Sequence, residues 1–406
     1  MYNILIIGGG AAGYFTAVNL KEAAPELSVA ILERSDKPLA KVLISGGGRC
    51  NVTHGIFDPK ELIDHYPRGR KELLGPFHRF MTGDTMEWFE NRGVALKIEE
   101  DGRVFPVSDN SESIANCLTE AAANCGVEVL LRHGVKRIEP IDEGFLVSTN
   151  QGDLRCLNLV VASGSSPKMW KQLAHLGHTI VSPVPSLFTF NISDPIIADL
   201  AGVSTLGRVQ VLDDRDKVLM EDQGPILITH WGLSGPAVLK LSAWGARLLF
   251  DLDYRFKIRV SWVDCSTEEC MEVLNHQRLE SPKKQLSNTP LFDLPKRLWT
   301  RLVHQLKEGD ATIWAHARKE QLTQLASLLT ACPLEVGGKS TFKEEFVTAG
   351  GVALGEIDFR RYESKLIPGL YMAGEVLDID AITGGFNFQN AWTGGYIIAQ
   401  ALSGQA

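Results

Sequence analysis

Absences narrow this 406-residue chain before any motif does. No apolar run approaches the roughly 20 residues of a membrane-spanning helix, so no membrane partner is expected. The amino terminus, Met1-Tyr2-Asn3 ahead of Ile4 to Ile7, carries neither a basic leader nor a cleavage site, and a soluble, cytoplasmic protein is the expectation. Cysteine is sparse: seven residues, at 50, 117, 125, 156, 265, 270 and 332, form no CxxC pair. A disulfide framework and a zinc ribbon are thereby disfavoured; reduced thiols and no metal are expected. Positive charge is also short, with 41 Lys and Arg against 49 Asp and Glu and a net charge of −8. Indiscriminate binding to DNA or to anionic membrane does not fit that balance, although a local basic patch is compatible with any net charge. Repeats and low-complexity tracts are missing too.

What is present is globular. The composition, 44% hydrophobic and 22% charged, is that of a folded chain. Its length exceeds the roughly 250–300 residues at which single cores stop growing, so two or three domains are expected. Residues 3–7 form an apolar run of the kind buried on both faces of a parallel sheet. Glycines follow, then small and apolar residues at helical spacing over 11–24, and a second apolar strand over 28–32 that ends at Glu33. This is a βαβ start.

Gly8-Gly9-Gly10-Ala11-Ala12-Gly13 satisfies GxGxxG. Gly8 permits a tight turn, Gly10 lets a pyrophosphate approach the backbone, and Gly13 lets the helix lie close to the strand. The phosphates then meet the free N–H groups of the helix start. Glu33, twenty residues past Gly13, stands where a carboxylate accepts from a ribose hydroxyl. Near the other end, a strand closing on Gly374-Glu375 is followed by Gly384-Gly385-Phe386-Asn387 opening a helix. Such a pair can hold ribityl hydroxyls and a flavin pyrimidine edge, the helix dipole favouring negative charge on the reduced ring.

Between these ends the pattern changes twice. Residues 34–55 read as loop, helices are expected at 84–92 and 111–125, and a short strand pair at 96–98 and 103–105. Strands follow at 127–131, 134–138, 145–149 and 158–162, the last ending at a second glycine turn, Ser163-Gly164. Past Pro183-Val184-Pro185, strand-like pieces at 188–192, 207–212, 225–229 and 256–260 lack intervening long helices and suggest an antiparallel sheet or barrel. Residues 264–332 turn helical, with helices near 267–278, 293–307 and 316–330. Nine basic and nine acidic residues make that stretch neutral. A final helix is expected over 387–402.

Four motifs together resemble one family. They are Lys41-Val42-Leu43-Ile44-Ser45-Gly46-Gly47-Gly48-Arg49-Cys50-Asn51, Thr229-His230-Trp231-Gly232-Leu233-Ser234-Gly235-Pro236, Thr348-Ala349-Gly350-Gly351-Val352, and Gly374-Glu375-Val376-Leu377-Asp378 with Gly384-Gly385-Phe386-Asn387-Phe388-Gln389-Asn390-Ala391. The chain is similar to the bacterial BaiN/RdsA-type NAD(P)/FAD-dependent oxidoreductases, which include proteins called aminoacetone oxidases, over nearly its whole length. The resemblance implies an α/β architecture: a Rossmann-type FAD-binding domain from residues 1–187 and 338–406. It also implies an inserted antiparallel β-barrel domain from 188–263 and 333–337, and a further helical insertion at 264–332. It implies that Gly8, Gly10, Ala12, Gly13, Glu33 and Arg34 hold the ADP half, with Val135 meeting adenine through its backbone. Lys41, Ser45, Gly46, Gly48, Arg49, Cys50 and Asn51 would line the flavin and pyrophosphate beside Ala162, Ser163 and Gly164. Gly350, Gly351, Gly374, Glu375, Gly385, Phe386 and Asn387 would close over the ribityl chain and ring. One departure stands out: Ala162-Ser163-Gly164-Ser165-Ser166-Pro167 passes almost directly to a helix at Lys168, where the family has a longer glycine-rich stretch.

For chemistry, His230, Cys50 and Lys41 are the candidates by motif. Cys50 sits beside an arginine and three glycines, a setting in which a helix start or a cation lowers a thiol pKa. Small basic clusters at Arg68-Gly69-Arg70-Lys71, Lys283-Lys284 and Lys296-Arg297 with Arg301 read first as solvated faces, with a phosphate-contacting patch for RNA as the alternative. Trp299 and Trp314 read as core, with base stacking as the alternative. The leading expectation is a flavin reductase that takes hydride from NADH or NADPH, bound transiently because no second GxGxxG exists, and reduces an activated C=C bond. The acceptor would be uridine in ribosomal RNA or a steroid-like small molecule. The alternatives are an oxidase of a small amine such as aminoacetone, and a low-turnover flavin-bound redox or interaction protein.

Overall fold

The computed structural model describes residues 1–307, 312–340 and 347–405. The chain divides into two units, Met1–Val184 with Lys343–Ala406, and Pro185–Phe342. Residues 341–346, part of the expected return segment, lie outside the described residues.

In the first unit β1 (Tyr2–Ile7), α1 (Ala11–Ala23) and β2 (Val29–Leu32) form the expected βαβ start. Ile4, Leu5 and Ile6 are buried because both sheet faces are covered, and this is why the strand reads as a continuous apolar run. β1 pairs in parallel with β2, Ile4 opposite Val29, and on its other side with the later strand Gly152–Val161, Ile7 opposite Val161. Glu128–Leu130 lies outside β2, and Leu370–Met372 outside Gly152–Val161, both parallel. In chain order these five strands run third, second, first, fourth, fifth across the sheet. The order reverses between β1 and Gly152–Val161, and a crevice opens at the carboxyl ends of the strands on such a line. α1 starts there. The carboxyl-terminal helix Phe386–Leu402 packs along it so closely that a side chain on Gly395 would come within 3.0 Å of the Ala12 carbonyl and of Thr16 Oγ1.

The loop expected over 34–55 contains a short helix, α2 (Ala40–Gly48). Leu39 and Val42 are buried and anchor its first turn. The helix fails where Ser45 extends (ψ 151°) and Gly46 and Gly47 take left-handed conformations, so helix and glycine loop share one segment. The strand pair expected near 100 gains a third member: Thr53–His54 pairs with Arg103–Pro106, which pairs with Leu96–Ile98.

The second unit is built on seven antiparallel strands ordered Cys332–Val336, Phe256–Ser261, Ser204–Leu212, Val218–Ile228, Gly232–Ser234, Thr189–Asn191 and Gly338–Ser340. Alternation is clear on Ser204–Leu212, where Val209 and Val211 point inward and Arg208 outward. Helices Thr267–Glu280, Lys296–Val303 and Lys319–Thr330 answer the three expected ones. They share one apolar core with the sheet: Val209, Ile228 and Ile258 from strands and Leu298, Leu302 and Leu325 from helices belong to a single cluster. Each such residue contributes roughly 2 kcal/mol by burial. Among the described residues no helix is long and apolar enough to cross a membrane.

Candidate functional site

The first unit gathers its glycine turns at one end of the parallel sheet. Gly8 follows β1, Glu33 follows β2, Ala162-Ser163-Gly164 follows Gly152–Val161, and Gly374-Glu375 follows Leu370–Met372. The close approaches that require glycine are visible. A Cβ on Gly8, whose φ is +115°, would stand 2.3 Å from the Ala162 carbonyl oxygen, and one on Gly13 would stand 2.0 Å from that of Gly8. Strand, turn and helix are therefore pressed together, as the fingerprint predicts.

Gly10, by contrast, faces open space, as do Gly47 and Gly48 of the second glycine loop. Gly10 caps α1 without any side-chain bond, leaving the helix start exposed to a ligand. Glu33 is pre-oriented: one carboxylate oxygen accepts the Gly9 N–H at 2.9 Å, and the other accepts the N–H and hydroxyl of Ser35 at 2.8 Å each. Burial and the Glu33 charge push nearby Tyr14 up to about 12. Arg34 and Val135 come to the same edge, since the His133 N–H donates to the Glu33 carbonyl and the Arg132 N–H to that of Ser35. Gly134, next to Val135, lies near the Arg34 Cβ.

Across the mouth, Lys41 of α2 is ion-paired with Glu375, 334 residues away in sequence, and Glu375 also lies beside Gly164. Gly374 faces Ala12. Gly350 packs on Ser182 and Pro183, Gly351 on Val376 and Leu377. At the start of the carboxyl-terminal helix, a Cβ on Gly385 would meet the Thr53 carbonyl at 2.5 Å and Asn51 Oδ1 at 2.8 Å. Asn387 braces the preceding loop by bonds to both Ala381 backbone groups. Phe386 packs against both His54 (4.6 Å) and His65 (4.4 Å), whose rings also lie 6.1 Å from each other. Two amide oxygens here, Asn51 Oδ1 and Asn390 Oδ1, are buried without a partner. The orphaned Asn51 acceptor beside the Gly46–Gly48 loop and Gly385, together with the bare start of α1, fits a ligand that donates hydrogen bonds and carries phosphate. A flavin dinucleotide is such a ligand.

Other residues singled out from sequence go elsewhere. Arg49 donates to Glu99 at 2.7 Å and lies over the Phe105 ring at 3.9 Å. Cys50 is fully buried and burial pushes its thiol up to about 12, opposite to the lowered value its neighbours suggested. Ser45 spends its hydroxyl on the Val42 carbonyl. Arg68 forms a two-pronged ion pair with the fully buried Asp380. In the second unit Arg297 donates to the Asp199 carbonyl and Arg301 to that of Pro195, so this cluster clamps a turn. Trp299 and Trp314 are fully buried, which assigns both to the core.

His230 occupies an exposed turn whose frame is over-determined. The Thr229 N–H donates to the Gly232 carbonyl, the Trp231 N–H to Thr229 Oγ1, and the Ile192 N–H to the Trp231 carbonyl. Trp231 itself, 59% exposed, was missed from sequence; an aromatic between His230 and an obligatory glycine was the available signal. His54 and His65 were missed as well, because only the fold brings them to Phe386. Among the described residues no group of three or more His, Cys, Asp or Glu is placed to hold a metal.

Comparison with known proteins bears on the whole chain. Residues 2–401 match the family profile described as HI0933-like protein Rossmann domain. The chain is 29% identical over 416 residues to a ribosomal RNA dihydrouridine synthase of Escherichia coli (strain K12), covering 99% of this chain and 98% of that one. It is equally 29% identical over 415 residues to a 3-dehydro-bile acid delta(4,6)-reductase of Clostridium scindens, covering 99% of each. Among solved structures, a 3-ketosteroid-delta4-(5alpha)-dehydrogenase from Rhodococcus jostii RHA1 superposes with a TM-score of 0.52 at 12% identity, over 99% of this chain and 96% of that one. At that identity the likeness speaks for the fold.

Proposed function

We propose, for a chain that belongs to the HI0933-like protein Rossmann domain family, a reductase that uses FAD to add two hydrogens across a C=C bond conjugated to a carbonyl. The chain is an FAD-dependent oxidoreductase. The observation that carries the reading is the convergence of three glycine turns and Glu33 on the bare start of α1 at the reversal point of the sheet. The bond change is drawn from the two curated relatives. A dihydrouridine synthase and a delta(4,6)-reductase share one transformation, saturation of a double bond next to a carbonyl.

In this reading the Gly8–Gly13 turn and α1 hold the pyrophosphate, and Glu33 accepts from the ribose, with Arg34 and Val135 beside adenine. Asn51, Gly350, Gly351, Gly374 and the Gly385–Asn387 helix start hold the ribityl chain and ring. Bound there, FAD would supply the two-electron chemistry. NADH or NADPH would donate and then leave, because one dinucleotide fingerprint serves one resident nucleotide. The remaining task is a proton for the carbon next to the carbonyl. Of the candidates by motif, burial pushes the Cys50 thiol up to about 12 and Lys41 is ion-paired with Glu375, which leaves His230 as the one to test. The seven-stranded sheet is read as the family's barrel-like insertion, with 264–332 as its helical elaboration. Uridine in RNA and steroid-like enones are the acceptors to test.

Anaerobic titration of the FAD-loaded protein with NADPH and then NADH tests the reading. Bleaching of the visible flavin band, followed by recolouring on adding a uridine-containing RNA or a 3-oxo-4-ene steroid and a mass gain of two hydrogens, is expected. Persistent colour with both donors overturns it.

A further inference from the structure

Among the described residues His178 is the only buried histidine, its side chain wholly inaccessible. It follows the helix Pro167–His175 and sits between two segments far away in sequence. Nδ1 lies 2.8 Å from Glu356 Oε2, and Nε2 lies 3.0 Å from Ser364 Oγ. Ser, His and Glu are thus in line, as in a hydrolase. The serine, however, is buried, and its oxygen already accepts two backbone N–H groups, from Leu366 at 3.1 Å and Ile367 at 3.0 Å. With both lone pairs taken it is no nucleophile.

Proton accounting fixes the state of the ring. A hydroxyl has one hydrogen and two lone pairs. Since Leu366 and Ile367 occupy the lone pairs, the Ser364 hydrogen must point at Nε2, so Nε2 accepts and Nδ1 carries the proton. Nδ1–H then donates to Glu356. Burial tends to raise the Glu356 carboxyl, but bonds from Thr179 and His178 hold it below its ordinary value, so it is an ionised acceptor. Both Glu356 oxygens also take the Thr179 N–H, at 3.0 and 3.2 Å.

Each ring nitrogen therefore holds a different arm of the crevice. Glu356 closes the short turn after strand Val347–Val352, which carries Gly350 and Gly351; the Ala353 N–H donates to the Thr179 carbonyl at 2.9 Å. Ser364 ends a hairpin strand whose Glu363 pairs with Tyr371, on the strand that runs into Gly374-Glu375. The arms meet where the Val352 N–H donates to the Val376 carbonyl and the Asp378 N–H to that of Val352.

We propose that His178 is a positioning residue for the cofactor crevice, a neutral Nδ1–H imidazole that sets the spacing between the Gly350-Gly351 and Gly374-Glu375 turns by bonding one arm through each nitrogen. The proposal rests on the FAD reading, since the turns it spaces are those assigned to the ribityl chain. It predicts that the ring's two bonds are separately necessary. His178→Asn keeps a donor near Nδ1 and loses the Ser364 acceptor; His178→Gln keeps an acceptor near Nε2 and loses the Glu356 donor.

The test has two parts. Several other histidines also place Nδ1 against a backbone carbonyl, so the His178 signals are identified by their loss: wild-type protein labelled with ¹⁵N-histidine at pH 8 should show a neutral Nδ1–H ring whose signals alone vanish in both variants. An Nε2–H form of that ring overturns the proposal. FAD affinity is then measured by quenching of flavin fluorescence on apoprotein, beside the apoprotein melting temperature. Both variants, and Ser364→Ala, should bind FAD at least ten-fold more weakly while folded. Unchanged affinity with a lowered melting temperature means a merely structural role and overturns the proposal. Failure of the wild type itself to bind FAD sinks the cofactor reading, and with it this one; a wild type that binds while the variants bind equally well sinks this one alone.

Discussion

The two units carry their sequence signals in different currencies of structure. In the first, the residues that stood out are glycines with local explanations: Gly13 abuts the Gly8 carbonyl and Gly8 abuts that of Ala162, while Gly10, Gly47 and Gly48 face open space. In the helical half of the second, the residues that stood out are Arg297, Arg301, Trp299 and Trp314, and all four serve packing or a turn clamp. A missing side chain has few explanations, whereas a large or charged one has many. That contrast explains why the glycines pointed to a site and the basic and aromatic cluster did not.

Mutations can break the comparison. The largest effect is expected from Gly13→Ala, whose Cβ would fall 2.0 Å from a carbonyl oxygen. It should cost about 3 kcal/mol or more in the first unit and abolish FAD retention. Survival of one thermal transition and loss of the other, followed by calorimetry, would show the second unit unaffected. Next is His230→Gln. If a side chain of the second unit does chemistry, flavin reduction by NAD(P)H stays normal while reoxidation by the unsaturated acceptor slows about 10²- to 10⁴-fold. Stopped-flow measurement of the two half-reactions separates these. Equal slowing of both would return His230 to the structural class.

Arg301→Ala should lower the stability of the second unit by about 1–2 kcal/mol, as loss of a charged donor to a backbone carbonyl does, and leave RNA affinity unchanged. A weaker, less salt-dependent complex with RNA would instead make the cluster a phosphate contact. The smallest effect concerns His54. Burial lowers its pKa, partly offset by the Gly384 carbonyl, so the fold favours the neutral ring. Its contribution is present above the pKa of the unfolded chain and is lost as pH falls through the folded value. Urea midpoints of wild type and His54→Gln should therefore converge on acidification.

The βαβ start, the helix start and the glycine turns were legible because strand burial and close approach act over a few residues. Other features were not. α2 was hidden by the glycines that end it, since Ala40 to Ile44 are too few to show a helical period. Arg49 faces Glu99 and Phe105 only because Arg103–Pro106 pairs with Thr53–His54. His178 meets Ser364 across 186 residues and Trp231 owes its exposure to a turn, and no local pattern encodes either.

The close seam between α1 and the carboxyl-terminal helix bears on how the chain is made. Residues 11–23 wait for residues 386–402 before they have a partner on that side, whereas residues 185–342 form a continuous stretch. On the ribosome the inserted unit can fold while the nucleotide-binding unit is still half translated, its apolar β1 and α1 uncovered. The earliest residues of the chain are thus among the last to be protected, and folding yield should depend on how fast the final segment is synthesised.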